Sequence, residues 1–132
     1  MITKISHIGI AVKDLQKAKE TYRKLLQSEP SPDEVVEEQK VRVSKFKLGE
    51  STIELIEATS PDSTIAKFIE SKGEGIHHIA YESDNIEKEL ERISAEDFEL
   101  INNHPVIGSD NMRVAFVNPK STGKVLTEIC QH

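Results

Sequence analysis

Two histidines and two glutamates could together hold a metal ion, because they lie at matching positions in the two halves of this 132-residue sequence. His7 and His78 each belong to the first strand-like segment of a half, and Glu54 and Glu128 belong to the last. If the halves pack as pseudo-symmetric sheets, the four side chains converge from four strands. Two imidazoles and two carboxylates suit Zn, Co, Ni, Mn or Fe(II), and open water positions would make the site a Lewis acid.

Each of these residues also has a purely structural interpretation when it is taken singly. A lone histidine on a strand is more often a hydrogen-bonded structural residue than a ligand, and either glutamate could face solvent. Their equivalent positions in a repeat favour the metal site. His77 points to the opposite sheet face from its neighbour, and the repeat aligns His78, not His77, with His7. The remaining histidines, His104 and His132, are expected on the surface. The cysteine, Cys130, is expected in or near the core.

The elements that must position the four residues also repeat along the chain. Asp14 and Asn85 are N-cap residue types that precede apolar positions at helical spacing. A linking helix over about residues 63–72 has Ser63 as its cap and Gly73 beyond its end. Strands are predicted over residues 41–48, 51–56, 112–117 and 125–130, and residues 34–38 are interpreted as a solvated acidic edge or loop. The sequence therefore predicts an α+β fold with the order β-α-β-β-β twice.

Composition limits the classes of protein to which this chain can belong. The 23 acidic residues exceed the 17 basic ones, and no basic cluster interrupts them, so nucleic acid and membrane are not expected partners. No segment approaches the ~18 apolar residues of a membrane span. The first residues lack the pattern of a signal peptide, and a single cysteine cannot form an internal disulfide, so a cytoplasmic location is expected.

Several segments, in order and over nearly the whole chain, carry a resemblance to a known family. The most specific are residues 62–69 (DSTIAKFI) and 72–80 (KGEGIHHIA). The others are residues 7–12, 53–57, 114–116, 119–123 and 125–130. Together they resemble the vicinal-oxygen-chelate superfamily of glyoxalase, bleomycin-resistance and dioxygenase domains, and within it the chain looks most similar to the methylmalonyl-CoA epimerase family.

This resemblance implies two βαβββ modules that form a cupped mixed sheet around one divalent metal ion per subunit. They would form one domain over residues 1–132, with module one at about 1–60, the linking helix at about 63–72 and module two at about 75–132. The family's ligands map onto His7, Glu54, His78 and Glu128, and the position of Glu54 is Gln in some relatives. Cobalt is the expected metal, with zinc, nickel and manganese as alternatives, and a homodimer is the expected assembly.

The activity implied by the resemblance is the interconversion of (R)- and (S)-methylmalonyl-CoA, a small-molecule CoA thioester. A proton is removed next to the thioester, a metal-stabilised enolate forms, and the proton is returned on the other face. Glu128 is the candidate for one proton carrier as well as a ligand. The alternatives within the superfamily are lactoylglutathione lyase (glyoxalase I) and a non-catalytic small-molecule binding protein.

Two aspects of the implied site differ from the family pattern or stay open. Val43 stands where some epimerases have a glutamate that acts as the opposite proton carrier, so Glu54, Glu37 or a metal-bound water would have to replace it. Residues 118–124 are interpreted either as an anion-binding turn or as a plain surface turn. Basic residues that could line the path of CoA, from their charge alone, are Lys45, Arg113 and Lys120.

Overall fold

The computed structural model describes residues 1–132, and its element order confirms the predicted α+β class. The helices are α1 (Leu15–Leu26), α2 (Thr64–Lys72) and α3 (Ile86–Ala95). The strands are β1 (Ile2–Ala11), β2 (Glu34–Val36), β3 (Val41–Leu48), β4 (Ser51–Ala58), β5 (Gly75–Ser83), β6 (Val106–Ile107), β7 (Arg113–Val117) and β8 (Thr127–Gln131). The order β-α-β-β-β therefore occurs on both sides of α2. No helix has the length and apolar character that crossing a membrane requires.

The chain is divided into two compact units whose boundaries fall inside β1 and β5. One, here called the central unit, comprises Ile8–His77. The other, the terminal unit, comprises Met1–His7 together with His78–His132. Both strands consequently contribute residues to each unit.

In the central unit the strand order is β2-β3-β4-β1, with β3 antiparallel to both of its neighbours. The turn between β3 and β4 uses Gly49 at φ +59°, a left-handed conformation that glycine adopts without strain. β4 continues beyond the predicted end at Ile56, because its last residue, Ala58, still pairs with Val41 of β3. The acidic run at residues 34–38 supplies the edge strand β2 and the start of a 3-10 turn, in agreement with the predicted edge.

Helix caps and two apolar clusters fix α1 and α2 on opposite faces of the β3–β4 pair. Asp14 caps α1 by accepting a hydrogen bond from the Lys17 backbone N–H (3.2 Å), and Ser63 caps α2 in the same way, as predicted. One cluster packs against α1, with Leu15, Phe46 and Leu55 at its centre. The other packs α2 against the alternate strand residues Val41, Val43 and Ile56.

In the terminal unit the strand order is β1-β5-β8-β7-β6, with β5 and β8 parallel and β7 and β8 antiparallel. Asn85 caps α3 by accepting from the Lys88 N–H (3.1 Å), as predicted. The apolar face of α3 packs on alternate residues of β7 and β8, Ala115, Val117 and Ile129 among them. The other face of these strands carries a second cluster, formed by Ala80, Met112, Val114 and the buried Cys130.

β7 and β8 both begin later than the sequence pattern predicts, because turn hydrogen bonds hold the residues before them. The Met112 backbone N–H donates to the Ser109 carbonyl, so β7 starts at the next residue. The Val125 N–H donates to the Thr122 carbonyl, so β8 starts only at Thr127. A backbone N–H that closes a turn is not free to join a sheet ladder.

Candidate active site

Three of the four predicted ligands lie together in the terminal unit, where β1, β5 and β8 contribute one side chain each. His7 Nε2 lies 3.1 Å from His78 Nε2 and 2.9 Å from Glu128 Oε2. His78 Nε2 lies 3.0 Å from the same carboxylate oxygen. All three side chains are buried. Strands that are distant in sequence thus form a compact triangle of two nitrogens and one oxygen.

The dimensions of this triangle fit one face of a metal coordination sphere. Ligand atoms about 2.1 Å from a cation and at right angles to one another are about 3.0 Å apart. The three distances in the triangle fall at this value. Two imidazoles and one carboxylate also form a donor set suited to first-row divalent metals. The residues present therefore fit the metal that the family implies.

The Glu128 carboxyl is strongly biased toward its ionised form. Burial by itself would raise its pKa, but the hydrogen bonds and positive charge of His7 and His78 outweigh burial and lower the pKa to about 2. The group is consequently a carboxylate throughout the neutral range. It can accept a proton or bind a cation without first losing a proton of its own.

Ser6 is a functional candidate that the sequence patterns do not reveal. Its Oγ lies 3.0 Å from Nδ1 of His7, the ring nitrogen opposite the one in the triangle, and the serine is itself buried. A hydrogen bond to the second ring nitrogen fixes the tautomer and orientation of a metal-binding histidine. A serine beside a histidine is too common a pair to have signalled this role.

Apolar side chains surround the triangle within the terminal unit. The strand register places Phe116 of β7 and Ala80 of β5 directly opposite Glu128. The Phe116 ring meets the His78 ring edge to face, with centroids 6.0 Å apart. Such surroundings have a low dielectric constant, so charges inside the site interact more strongly than they would in water.

Glu54, the fourth predicted ligand, lies in the central unit on β4 and is 5% exposed. Its cross-strand neighbour is Lys45, whose Nζ lies 3.9 Å from Glu54 Oε2. Since Glu128 is equally buried, the interpretation that either glutamate faces solvent is wrong. The role of Glu54 as a ligand stays a prediction.

Several other residues considered from the sequence have clear positions. Val43 is part of the apolar cluster under α2, and Glu37 lies exposed in the turn after β2. Arg113 is bound within its own unit, donating to Glu87 and, at 2.9 Å, to Gln131. The histidines outside the triangle lie elsewhere: His77 packs on Phe68 of α2, and His104 and His132 are exposed, as predicted.

Comparison with known families agrees with the fold. Residues 6–116 match the model of the Glyoxalase/Bleomycin resistance protein/Dioxygenase superfamily, and the chain belongs to this superfamily. Among curated proteins it is 37% identical to the uncharacterized protein YqjC of Bacillus subtilis, over 98% of this chain and 93% of that protein. It is 33% identical to the mitochondrial methylmalonyl-CoA epimerase of Homo sapiens, over 97% of this chain and 73% of that protein.

A solved structure gives the same result at the level of the fold. A variant of the Streptomyces coelicolor methylmalonyl-CoA epimerase, in complex with 2-nitronate-propionyl-CoA, superimposes with a TM-score of 0.95 and 34% sequence identity. The match covers 99% of this chain and 95% of that one. The predicted glyoxalase-like fold is thereby confirmed.

Proposed function

We propose that this protein is a metal-dependent epimerase that interconverts the (R) and (S) forms of methylmalonyl-CoA. The observation that carries the proposal is the buried triangle of His7, His78 and Glu128, in a chain similar over most of its length to methylmalonyl-CoA epimerases. The triangle supplies both cation ligands and an ionised carboxylate. These are the groups that removal of a proton next to a thioester requires.

The proposed ligand set is His7, His78 and Glu128, with Glu54 as the fourth ligand. Glu54 is supported by its place in the repeat, equivalent to that of Glu128, and by its burial on β4. When bound, a divalent cation would act as a Lewis acid on the substrate's thioester and carboxylate oxygens. We expect cobalt, with zinc, nickel or manganese as alternatives.

Glu128 is proposed to exchange the substrate proton on one face of the reacting carbon. Its low pKa keeps the accepting form fully populated, but it also makes the carboxylate a weak base. Proton removal therefore depends on strong stabilisation of the negative charge that develops on the substrate. The two histidine rings hold Oε2, and Phe116 and Ala80 keep the surroundings of Glu128 apolar.

The test is incubation with methylmalonyl-CoA in heavy water, in which the α-proton is followed by NMR. We expect exchange of this proton when cobalt is present, and only the spontaneous background rate in EDTA or without protein. Absence of enzymatic exchange with each of the four metals would overturn the proposal.

The two alternatives make different predictions in parallel assays. A glyoxalase I would convert the hemithioacetal of methylglyoxal and glutathione into lactoylglutathione, whereas we expect no such product. A non-catalytic binding protein would bind the CoA thioester without exchanging its α-proton. The homodimer and the cytoplasmic location stay predictions, and sedimentation velocity would test the first of them.

A further inference from the structure

Lys45 and Glu54 form a charged pair that the sheet register itself brings together. They are directly opposite each other in the β3–β4 ladder, so their side chains project from the same face. Lys45 Nζ lies 3.9 Å from Glu54 Oε2, and the two side chains are 18% and 7% exposed. The ammonium group is thus held beside a buried carboxylate by backbone pairing.

Toward α2 the face that carries this pair is apolar, and the next ladder pair on its other side is polar. Strand alternation places Lys45 in one row with Val41 and Val43, and Glu54 in one row with Ile56. These three apolar residues belong to the cluster under α2. Replacing a shielded ion pair with apolar side chains is often neutral or stabilising, so the pair is weak evidence for a role in stability. A functional role has to account for the cation.

The balance of charges between the metal, its ligands and the substrate supplies a role for the Lys45 ammonium group. This inference rests on the proposed function. Two carboxylate ligands, Glu54 and Glu128, together cancel the charge of a divalent cation. The acyl group of the substrate carries a carboxylate and gains a second negative charge when its proton leaves. A neutral centre attracts such an anion only weakly. One additional positive charge beside Glu54 makes the centre attractive to it.

We propose that Lys45 is an electrostatic residue for the anionic acyl group, in addition to positioning the Glu54 carboxylate. Lys45 opposes binding of the metal cation to a small extent and favours binding of the negatively charged acyl group. These two effects have opposite signs. A lysine that merely supported the fold would not produce them together.

The experiment compares wild-type protein with Lys45→Met in two calorimetric titrations. Removal of the ammonium should tighten the binding of cobalt alone by about threefold to tenfold. It should weaken binding of 2-nitronate-propionyl-CoA, whose acyl group is anionic, by about tenfold or more in the cobalt-loaded protein. Binding of propionyl-CoA, which has the same CoA part but an uncharged acyl group, should change less than twofold.

Control variants distinguish this electrostatic role from a structural role of the lysine and from a general effect of lost positive charge. Lys45→Arg keeps the charge and should restore most of the affinity for the nitronate. Arg42→Met removes the neighbouring cross-strand cation, which pairs with Glu57 on the other face of β3 and β4, and should leave all three affinities unchanged. Circular dichroism and thermal unfolding establish that each variant is folded, and Lys45→Gln replaces Lys45→Met if the latter is not.

The possible outcomes are distinguishable from one another. Equal losses for the nitronate and for propionyl-CoA would mean that Lys45 contacts the CoA part, and would overturn the proposal. Unchanged nitronate binding, or weaker cobalt binding, would also overturn it. Failure of wild-type protein to exchange the substrate α-proton would instead overturn the proposed epimerase function, which a separate assay measures.

Discussion

The last strand of each half presents a buried glutamate at an equivalent position, but the two carboxylates have different neighbours. Glu128 on β8 is within hydrogen-bonding distance of two histidine rings, and its cross-strand neighbour on β7 is Phe116. Glu54 on β4 has Lys45 as its cross-strand neighbour on β3. The repeated framework therefore supplies the same backbone position twice. The neighbouring strand places an aromatic ring opposite Glu128 and an ammonium group opposite Glu54.

This difference suggests a division of labour between the two carboxylates. The Glu128 group is ionised, held by two rings and surrounded by apolar side chains, as suits a group that exchanges a proton. The Glu54 group is balanced by a fixed positive charge, as suits a ligand whose charge must be compensated. This division is tested by substituting each glutamate with glutamine, and Ser6 with alanine, and by comparing the losses of proton exchange and of cobalt affinity.

The largest effect is expected for Glu128→Gln, because the amide retains an oxygen ligand but cannot accept the substrate proton. Loss of a positioned proton carrier costs about 10² to 10⁴ in rate. We expect α-proton exchange at saturating cobalt, followed by NMR in heavy water, to fall by about 10³. Calorimetric cobalt binding serves as the control and should be weakened but measurable. An exchange rate equal to that of the wild type would exclude Glu128 as the proton carrier.

The next largest effect concerns the stability of the cation-free protein in acid. The pKa of Glu128 is about 2 in the folded protein, below the ordinary value of 4.5, so its stabilising contribution is present above pH 4.5. The contribution is lost as the pH falls toward 2, and amounts to on the order of 3 kcal/mol. Wild-type protein should therefore lose more unfolding free energy than Glu128→Gln over this range.

Urea unfolding of both proteins at several pH values between 6 and about 2 measures this difference directly. The two proteins share every other ionisable group, so the difference between the two curves reports the loss of the Glu128 carboxylate together with its hydrogen bonds to the two histidines. Parallel curves would show that the hydrogen bonds from the two histidines do not stabilise the carboxylate.

The positions of the candidate site residues in the chain were predictable from the sequence, but the contacts of the two glutamates were not. The caps at Asp14, Ser63 and Asn85 were predictable, because an N-cap hydrogen bond depends only on residues within one turn. His7 and His78 were also predictable, because they occupy equivalent positions in the first strand of each half and this equivalence is visible in the sequence alone. By contrast, the partners of Glu54 and Glu128 depend on strand register, which is set by tertiary packing and by turns such as the one that delays β8.

A smaller effect is expected for Ser6→Ala, which tests how firmly the triangle is held. Removing a hydrogen bond to the second nitrogen of a ligating histidine costs about 10 to 100-fold in metal affinity. We expect calorimetric cobalt affinity to fall by about tenfold. Ser83→Ala is the matched control, because Ser83 is also buried in the terminal unit but accepts a hydrogen bond from the Asn85 N–H instead. Equal losses in the two variants would contradict a specific role for Ser6.

The smallest effect is expected for Glu54→Gln, and its sign depends on Lys45. The amide keeps one oxygen ligand, but the ammonium group is then uncompensated, so cobalt binding should weaken while the anionic acyl group is held at least as well. We expect the exchange rate at saturating cobalt to change by less than about fivefold, far less than for Glu128→Gln. In the double variant with Lys45→Met, both charges are absent, and part of the cobalt affinity should return. A double-mutant cycle that gave purely additive effects would mean that the two side chains do not interact, and that the difference between the two glutamates has another origin.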